Sequence, residues 1–503
     1  MIWVISQLPA PMEWAGLKRD MYGRGRAFAT ARFSGPSSVV LLWGTTLSAA
    51  TGVYSGPAVR DITGDGIPDI CVGDDAGVLR CFNGPDGTVH WSYSTGGAIY
   101  STPVLEDISF LNPGMEVAFT SNDGYLYVLR GTNGTLLWRA SVGQAYNGSP
   151  RVYNINGVPG NEVVVATRSG TYALNGNTGA VVWRNTSVRS EAAVAIADVD
   201  NDGEIEVIVA DNSGRVYALR GTNGSVRWVV STGHGYGSAP AVEDVDGDGI
   251  KEIFVNFYNN YTCRINGTGS LAWCVYGYSQ LSYDGFESVV IGPDINGNGT
   301  KDIFTADYYW GRKLAAIDGG TGSVIWSRTV TYEVHSHAPI TVGDFDMTNP
   351  GYEILLANHN GYLDVYSASN GNFLWDFSYG GPVSGGCCAS GYALLVDVDG
   401  DTCVELVVRG EWSAPNLRVY RSNNVGSCYL SYDDPVAVRE EEGKGKVFDV
   451  VKGGIMFYGK GKVEIYSVDG TKVGEVSKPG FIRLKNGVYI VKYGNKTEKV
   501  LIR

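Results

Sequence analysis

Eight of the 12 tryptophans share one register: Trp43, Trp91, Trp138, Trp183, Trp228, Trp273, Trp326 and Trp375 recur at intervals of 48, 47, 45, 45, 45, 53 and 49 residues. A unit this short cannot bury its apolar face alone, so copies must stack on one another. Around each Trp the order is constant. A short strand ("APAV", "SPRV", "APIT") leads into an acidic loop, a second strand and a Gly hairpin. A third strand such as "RVYALRG" follows, then an AsnGly turn and a fourth strand ending in the Trp. Compare "DVDNDGEIEVIVADNSGRVYALRGTNGSVRW" with "DISFLNPGMEVAFTSNDGYLYVLRGTNGTLLW". Four antiparallel strands per unit is the pattern of a propeller blade.

The acidic loop starts eight times, at Asp61, Asp107, Asn154, Asp198, Asp244, Asp294, Asp344 and Asp397. The fold class expected is therefore all-β, an eight-bladed β-propeller over residues 38–430, after an N-terminal extension (1–37) of unclear role. "SVVLLWG" (38–44) matches a fourth strand and is expected to close the ring against blade eight, since closure removes exposed strand edges. "SCYL", with Tyr429 in the Trp register, is the competing fourth strand. Composition agrees: 69 Gly, 31 Tyr and only 18% charged residues suit short strands and tight turns.

In "AVEDVDGDGIKEIFV" (241–255), Asp244, Asp246 and Asp248 alternate, and Glu252 is the ninth residue of the loop. An EF-hand places its last acid at position twelve between helices. Here the flanks read as strands, so the loop is a calcium corner between two strands, with all-oxygen ligands. Intact or near-intact copies are Asp61/Asp65/Asp69, Asp198/Asp200/Asp202/Glu206, Asp294/Asn296/Asn298/Asp302 and Asp397/Asp399/Asp401/Glu405. Thr63 takes the second ligand position of the first copy, and Thr402 the Gly position of the last. Blades two, three and seven ("DISFLNPGME", "NINGVPGNE", "DFDMTNPGYE") are expected to keep their shape by turn structure, with weak metal binding or none.

The net charge of −13 is uneven: residues 435–503 hold 14 Lys and Arg against 8 Asp and Glu, leaving −19 on the rest. That shift marks a boundary near Asp434 and Pro435, giving a linker (431–445) and a small C-terminal β-sandwich (446–503) with AspGly and AsnGly turns. An acidic main body argues against a basic nucleic-acid surface. No segment reaches the 18 apolar residues of a membrane span, and the first 33 residues lack a secretory-type hydrophobic run. Cys71 with Cys81, and Cys263 with Cys274, stand at hairpin distance and suit disulfides in an oxidising compartment.

"DVDGDGIKEIFV" and its copies resemble the FG-GAP repeats of integrin α-type propellers. "AIDGGTGSVIW" and "LRGTNGTLLW" resemble the repeats of pyrroloquinoline-quinone (PQQ) dehydrogenase-like propellers, which are eight-bladed. The tail, with "IYSVDG" and "LKNGVYIVK", resembles the type A C-terminal sorting domain of type IX secretion. Together these resemblances imply a secreted or cell-surface protein, and they speak to fold more than to activity.

Strand direction divides the loops between two faces. Acidic loops and AsnGly turns share one; the hairpins between strands two and three share the other with the connections between blades. The second face is rich in aromatic residues, with Tyr100, Tyr146, Tyr236, Tyr258, Tyr308, Tyr309, Trp310 and Trp412, which suits carbohydrate or a protein partner. Blade packing is the competing use of these side chains. His335, His337 and His359 fall on the same face and could form a metal or acid/base site. Adjacent Cys387 and Cys388 resemble the vicinal disulfide of quinoprotein dehydrogenases, but no further part of that site is assignable, so PQQ is not expected. The expectation is a calcium-stabilised binding or adhesion module, with a polysaccharide lyase-like enzyme or a PQQ-dependent dehydrogenase as alternatives.

Overall fold

The computed structural model describes residues 33–47, 55–146, 148–158, 160–278, 289–307, 312–330, 340–349, 351–358, 361–379, 391–399, 403–410 and 415–424, and the strands between 448 and 502. From Val39 to Ser422 these residues form eight four-stranded antiparallel sheets, and the only helix among them is the 3-10 turn Pro36–Ser38. Blades one to seven each use four consecutive strands, in the first Ala58–Arg60, Asp69–Gly73, Val78–Asn83 and Val89–Ser94. The eighth takes Gly391–Val396, Glu405–Gly410 and Leu417–Ser422, and its fourth strand is Val39–Thr45, with Trp43 opposite Val419. The chain is therefore an eight-bladed propeller whose ring is joined by its N-terminal strand.

Burial explains the sequence pattern strand by strand. Second strands such as Glu116–Thr120 and Glu206–Ala210 are buried at every position, because a neighbouring blade covers each face. They accordingly read as continuous apolar runs with no alternation. Between blades four and five, Ala195, Ile208 and Ala218 belong to one core with Val242, Ile253 and Val255. Burying each larger aliphatic side chain contributes about 1.5–3 kcal/mol.

The tryptophan register is a device that joins blades. Seven of the eight fourth-strand indoles donate their Nε1–H to a main-chain carbonyl of the next blade, as Trp43 does to Gly84 (2.7 Å), Trp91 to Gly131 (2.6 Å) and Trp183 to Gly221 (2.6 Å). The AsnGly turn of that next blade lies on the indole face. Gly224 sits at φ +70, and a Cβ there would fall 2.4 Å from Trp183 Cε3, so both backbone angle and close approach require glycine. Trp375 breaks the pattern and donates to Asp346 Oδ2 of its own blade at 2.7 Å.

Residue 33 belongs to the propeller. The Phe33 side chain is buried among Phe345, Leu355 and Val365, while its N–H donates to Phe345 O (3.2 Å) and its carbonyl accepts from Met347 N (2.8 Å). The described strands between 448 and 502 lie in a second compact unit. Its described strands make one sheet of Phe448–Val451, Gly454–Phe457 and Gly480–Arg483, and another of Lys472–Val476, Val463–Ser467, Gly487–Tyr493 and Lys496–Ile502.

Candidate functional site

Main-chain bonds confirm the division of loops between faces. On one side, hairpins join the connections between blades: Ile99 N donates to Asp74 O (3.0 Å), Arg168 N to Gln144 O (3.1 Å) and Tyr258 N to Tyr236 O (2.9 Å). On the other, acidic corners meet neighbouring blades, with Lys251 N donating to Val199 O and Lys301 N to Val245 O, both at 2.9 Å.

At the acidic corners the first Asp closes its own loop. Asp61, Asp244 and Asp294 each accept N–H groups three and five residues ahead, Asp244 from Gly247 (2.7 Å) and Gly249 (3.0 Å). The acid that closes each loop, ninth from its start or tenth in blades two and seven, is buried in all eight blades: Asp69, Glu116, Glu162, Glu206, Glu252, Asp302, Glu353 and Glu405. Each accepts an N–H from its loop, as Glu252 does from Val245 (3.1 Å) and Glu405 from Val398 (2.9 Å). It is present with or without the other ligand positions, so its constant task is to clamp the corner. Burial pushes Glu206, Glu252, Asp302 and Glu353 up to about 7, because the charged form loses hydration.

The corners differ in what balances their charge. In blade four Arg227 reaches Asp200 (2.6 Å) and Glu206 (2.7 Å) and also pairs with Asp202. In blade five Arg264 lies 3.0 Å from both Asp246 and Glu252. His90 is 2.7 Å from Asp69 in blade one. Blade six is different: Asp302 stands directly opposite Asp318 across strands two and three. Its raised carboxyl reflects burial first and then the Asp318 and Asp294 charges. Burial also works against charge on Asp318, but bonds from Thr321, Asn296 and Asn298 hold it below the usual range. Among the described residues no basic side chain pairs with Asp294, Asp302 or Asp318.

These all-oxygen sets suit a hard divalent cation. Carboxylate oxygens lie within 4.8 Å of one another in Asp198/Asp200/Glu206, in Asp244/Asp246/Asp248 and in Asp397/Asp399/Glu405. Asp200 Oδ1 is buried without a hydrogen-bond partner. Asp401 lies outside the described residues. In blade seven, Asp346 is satisfied by Trp375 and Thr348.

Blade one arranges its acids differently. Asp61, Asp65 and Asp69 are all described, yet their carboxylates do not gather as those three sets do. Asp65 is exposed and accepts the Ile67 N–H at 2.8 Å, so it shapes the turn. Thr63 stands where the other corners have a second ligand and bonds Asp61 Oδ1 at 3.5 Å, while His90 occupies Asp69 Oδ1. Hydrogen bonds from its own loop and from His90 hold this corner in shape.

On the hairpin face, Tyr100 and Tyr146 meet edge to face with ring centroids 5.4 Å apart. The Arg168 guanidinium lies over the Tyr146 ring at 5.0 Å. Glu191 receives Arg168 in a two-pronged pair, Nη2 to Oε2 being 3.2 Å. Tyr146 has φ +41, in the left-handed region that non-glycine residues seldom occupy. Tyr236 and Tyr258 are joined through the main chain on the same side, and His234 stacks on Tyr261 at 3.8 Å. Tyr308, Tyr309, Trp310, Trp412, His335, His337, His359, Cys387 and Cys388 fall outside the described residues. Disulfides join Cys71 to Cys81 and Cys263 to Cys274, each pair directly opposite across two strands.

Sequence reasoning missed Arg168, Glu191, Arg227, Arg264 and Asp318. A signal existed for Asp318. The strand position opposite the loop-closing acid carries Asn83, Arg130, Asn175, Arg220, Asn266 or Ser367 in the other described pairings and an acid in blade six alone.

Fold and site define an eight-bladed propeller of PQQ-like repeats with acidic corners on one face and a tyrosine-rich opposite face. A family model described as outer membrane protein assembly factor BamB matches residues 76–280. Among solved structures, BamB from Moraxella catarrhalis aligns over 77% of this chain and 99% of its own, with 16% identity and a TM-score of 0.52. A europium-containing methanol dehydrogenase aligns over 79% and 89%, with 11% identity and a TM-score of 0.55. Quinohemoprotein alcohol dehydrogenase ADHIIG from Pseudomonas putida HK5 aligns over 83% and 81%, with 13% identity and a TM-score of 0.56. At such identities the likeness is one of fold. No curated protein sequence matches the chain. Among the described residues no helix is long and apolar enough to cross a membrane.

Proposed function

We propose that this chain is a calcium-stabilised binding propeller, secreted or held at the cell surface, that takes carbohydrate or protein on its hairpin face. The observation carrying this reading is the group Tyr100, Tyr146 and Arg168, in which a strained Tyr146 backbone presents an aromatic and cationic surface away from the acidic corners. Strain of this kind clusters where ligands are held. The BamB family model is described as an outer membrane protein assembly factor, which favours a protein partner and a place outside the cytoplasm. A glycan array and calorimetry on its hits test the reading. Binding without turnover supports it; unsaturated uronide products would favour a lyase, and PQQ-dependent dye reduction a quinoprotein.

Calcium would serve the fold. Its ligands would be the sets at blades one, four, five, six and eight, with Asp318 joining Asp294 and Asp302 in blade six. At affinities of about 0.1–1 mM, millimolar calcium stabilises each such loop by about 0.4–1.4 kcal/mol. A melting temperature unmoved by chelator would refute this role. The basic C-terminal unit would serve export or anchoring; a chain ending at residue 445 that still reached the surface would contradict that assignment.

A further inference from the structure

Between blades three and four, on the hairpin face, lies a cleft of about 570 Å³ whose lining includes Arg168, Arg189, Arg215, Ser187, Ser190 and Ser213. Its remaining lining residues, Thr186, Asp211 and Asn212, are polar too. The guanidinium groups are held in place with donors to spare. Arg168 gives Nε and Nη2 to Glu191. Arg215 gives Nε (2.8 Å) and Nη2 (2.8 Å) to Asp211 Oδ2. Arg189 gives only its Nε, to Thr186 O at 2.9 Å. Among the described residues, Nη1 of Arg168 and of Arg215 and both Nη atoms of Arg189 keep no protein partner. Three guanidiniums against two paired carboxylates leave a local positive site on an acidic body.

We propose that this cleft binds the carboxylate of an acidic sugar chain, of the uronate class, through Arg189 and the open ends of Arg168 and Arg215. A planar guanidinium matches a carboxylate with two parallel bonds. Pairing with Glu191 and Asp211 fixes two of the three side chains before the ligand arrives, which lowers the ordering cost of binding. A protein site of this size would carry apolar anchors at its centre, and this lining carries none. Hydroxyls of Ser187, Ser190 and Ser213 beside the cations suit the remaining sugar oxygens. The proposal rests on the reading of the hairpin face as a binding surface.

The test is calorimetry of the full chain with trigalacturonate at fixed calcium, beside neutral galactotriose, a sulfated trisaccharide and triglutamate. Trigalacturonate is expected to bind more tightly than the other three, and to weaken as salt is added. Arg189→Gln with Arg215→Gln should weaken it by at least about 10-fold, since bonds to charged groups are the strong ones, while Arg184→Gln, which removes one charge from the exposed fourth strand of blade three, should not. Equal affinity for triglutamate or the sulfated sugar overturns the uronate assignment, and an unchanged affinity in the double variant overturns the cleft. Glycan or protein binding without trigalacturonate binding refutes this inference and leaves the binding-module reading standing. Binding of nothing at all refutes both.

Discussion

Replacing Asp302 with Asn should strengthen the metal-free propeller and weaken its response to calcium. Asp318 faces Asp302 in direct register, and Asp302 is wholly buried. Like charges directly opposite in a sheet cost about 0.2–1 kcal/mol, and burial puts this pair at the upper end, near ~1 kcal/mol. The Asn side chain keeps an oxygen for the Ile295 N–H, which Asp302 Oδ2 now accepts at 2.8 Å. With unfolding entropy near ~2.1 cal/mol/K per residue, ~1 kcal/mol in a domain of roughly 400 residues moves Tm by about 1 °C. In chelator, scanning calorimetry should therefore find the variant about 1 °C more stable than wild type. In millimolar calcium the order should reverse if blade six contributes its ~0.4–1.4 kcal/mol, and a calcium titration should lose or weaken one site. A variant that is less stable in chelator, with an unchanged calcium titration, would refute the reasoning.

Other outcomes follow from single contacts. Gly224→Ala should cost about 2–5 kcal/mol in denaturant unfolding, from left-handed backbone strain and overpacking against Trp183; wild-type stability would contradict the docking account. Glu353, pushed up to about 7 by burial from its ordinary 4.5, holds its proton more tightly when folded, so stability should fall as pH rises from about 4.5 to 7, by up to ~3 kcal/mol. Glu353→Gln should flatten that slope, and an unaltered pH profile would exclude Glu353 as its source. Arg227→Met leaves the blade-four acids unpaired and should cost about 2–3 kcal/mol in chelator, with calcium restoring part of the loss. A calcium response no larger than wild type would mean that the guanidinium and the metal do not share this corner.

Much of this architecture was legible because it repeats. The Trp register and the AsnGly turns express one contact, an indole on a glycine of the next blade, so sequence spacing carried both. The acidic corners were legible as loops because their ligands are neighbours in sequence. What balances them was not. Arg227 lies 21 residues beyond Glu206, and Arg264 comes from the third strand of blade five. Only strand pairing brings those charges to the corner. His90 acts the same way in blade one, reaching Asp69 from the fourth strand. The same limit applies on the hairpin face. Its tyrosines stood out by composition, whereas Arg168 and Glu191 meet only because a hairpin of one blade abuts the connection to the next. Phe33 shows it at the longest range, completing a corner formed more than 300 residues later.

The most direct test of the central claim is ligand binding by Tyr146→Ala and Asp294→Asn chains on one glycan array at fixed calcium, with melting temperatures measured alongside. The account predicts that Tyr146→Ala loses wild-type binding with its melting temperature nearly intact, while Asp294→Asn keeps binding and loses part of its calcium-dependent stability. Binding that survives Tyr146→Ala and disappears with Asp294→Asn would place function at the acidic corners and contradict the account.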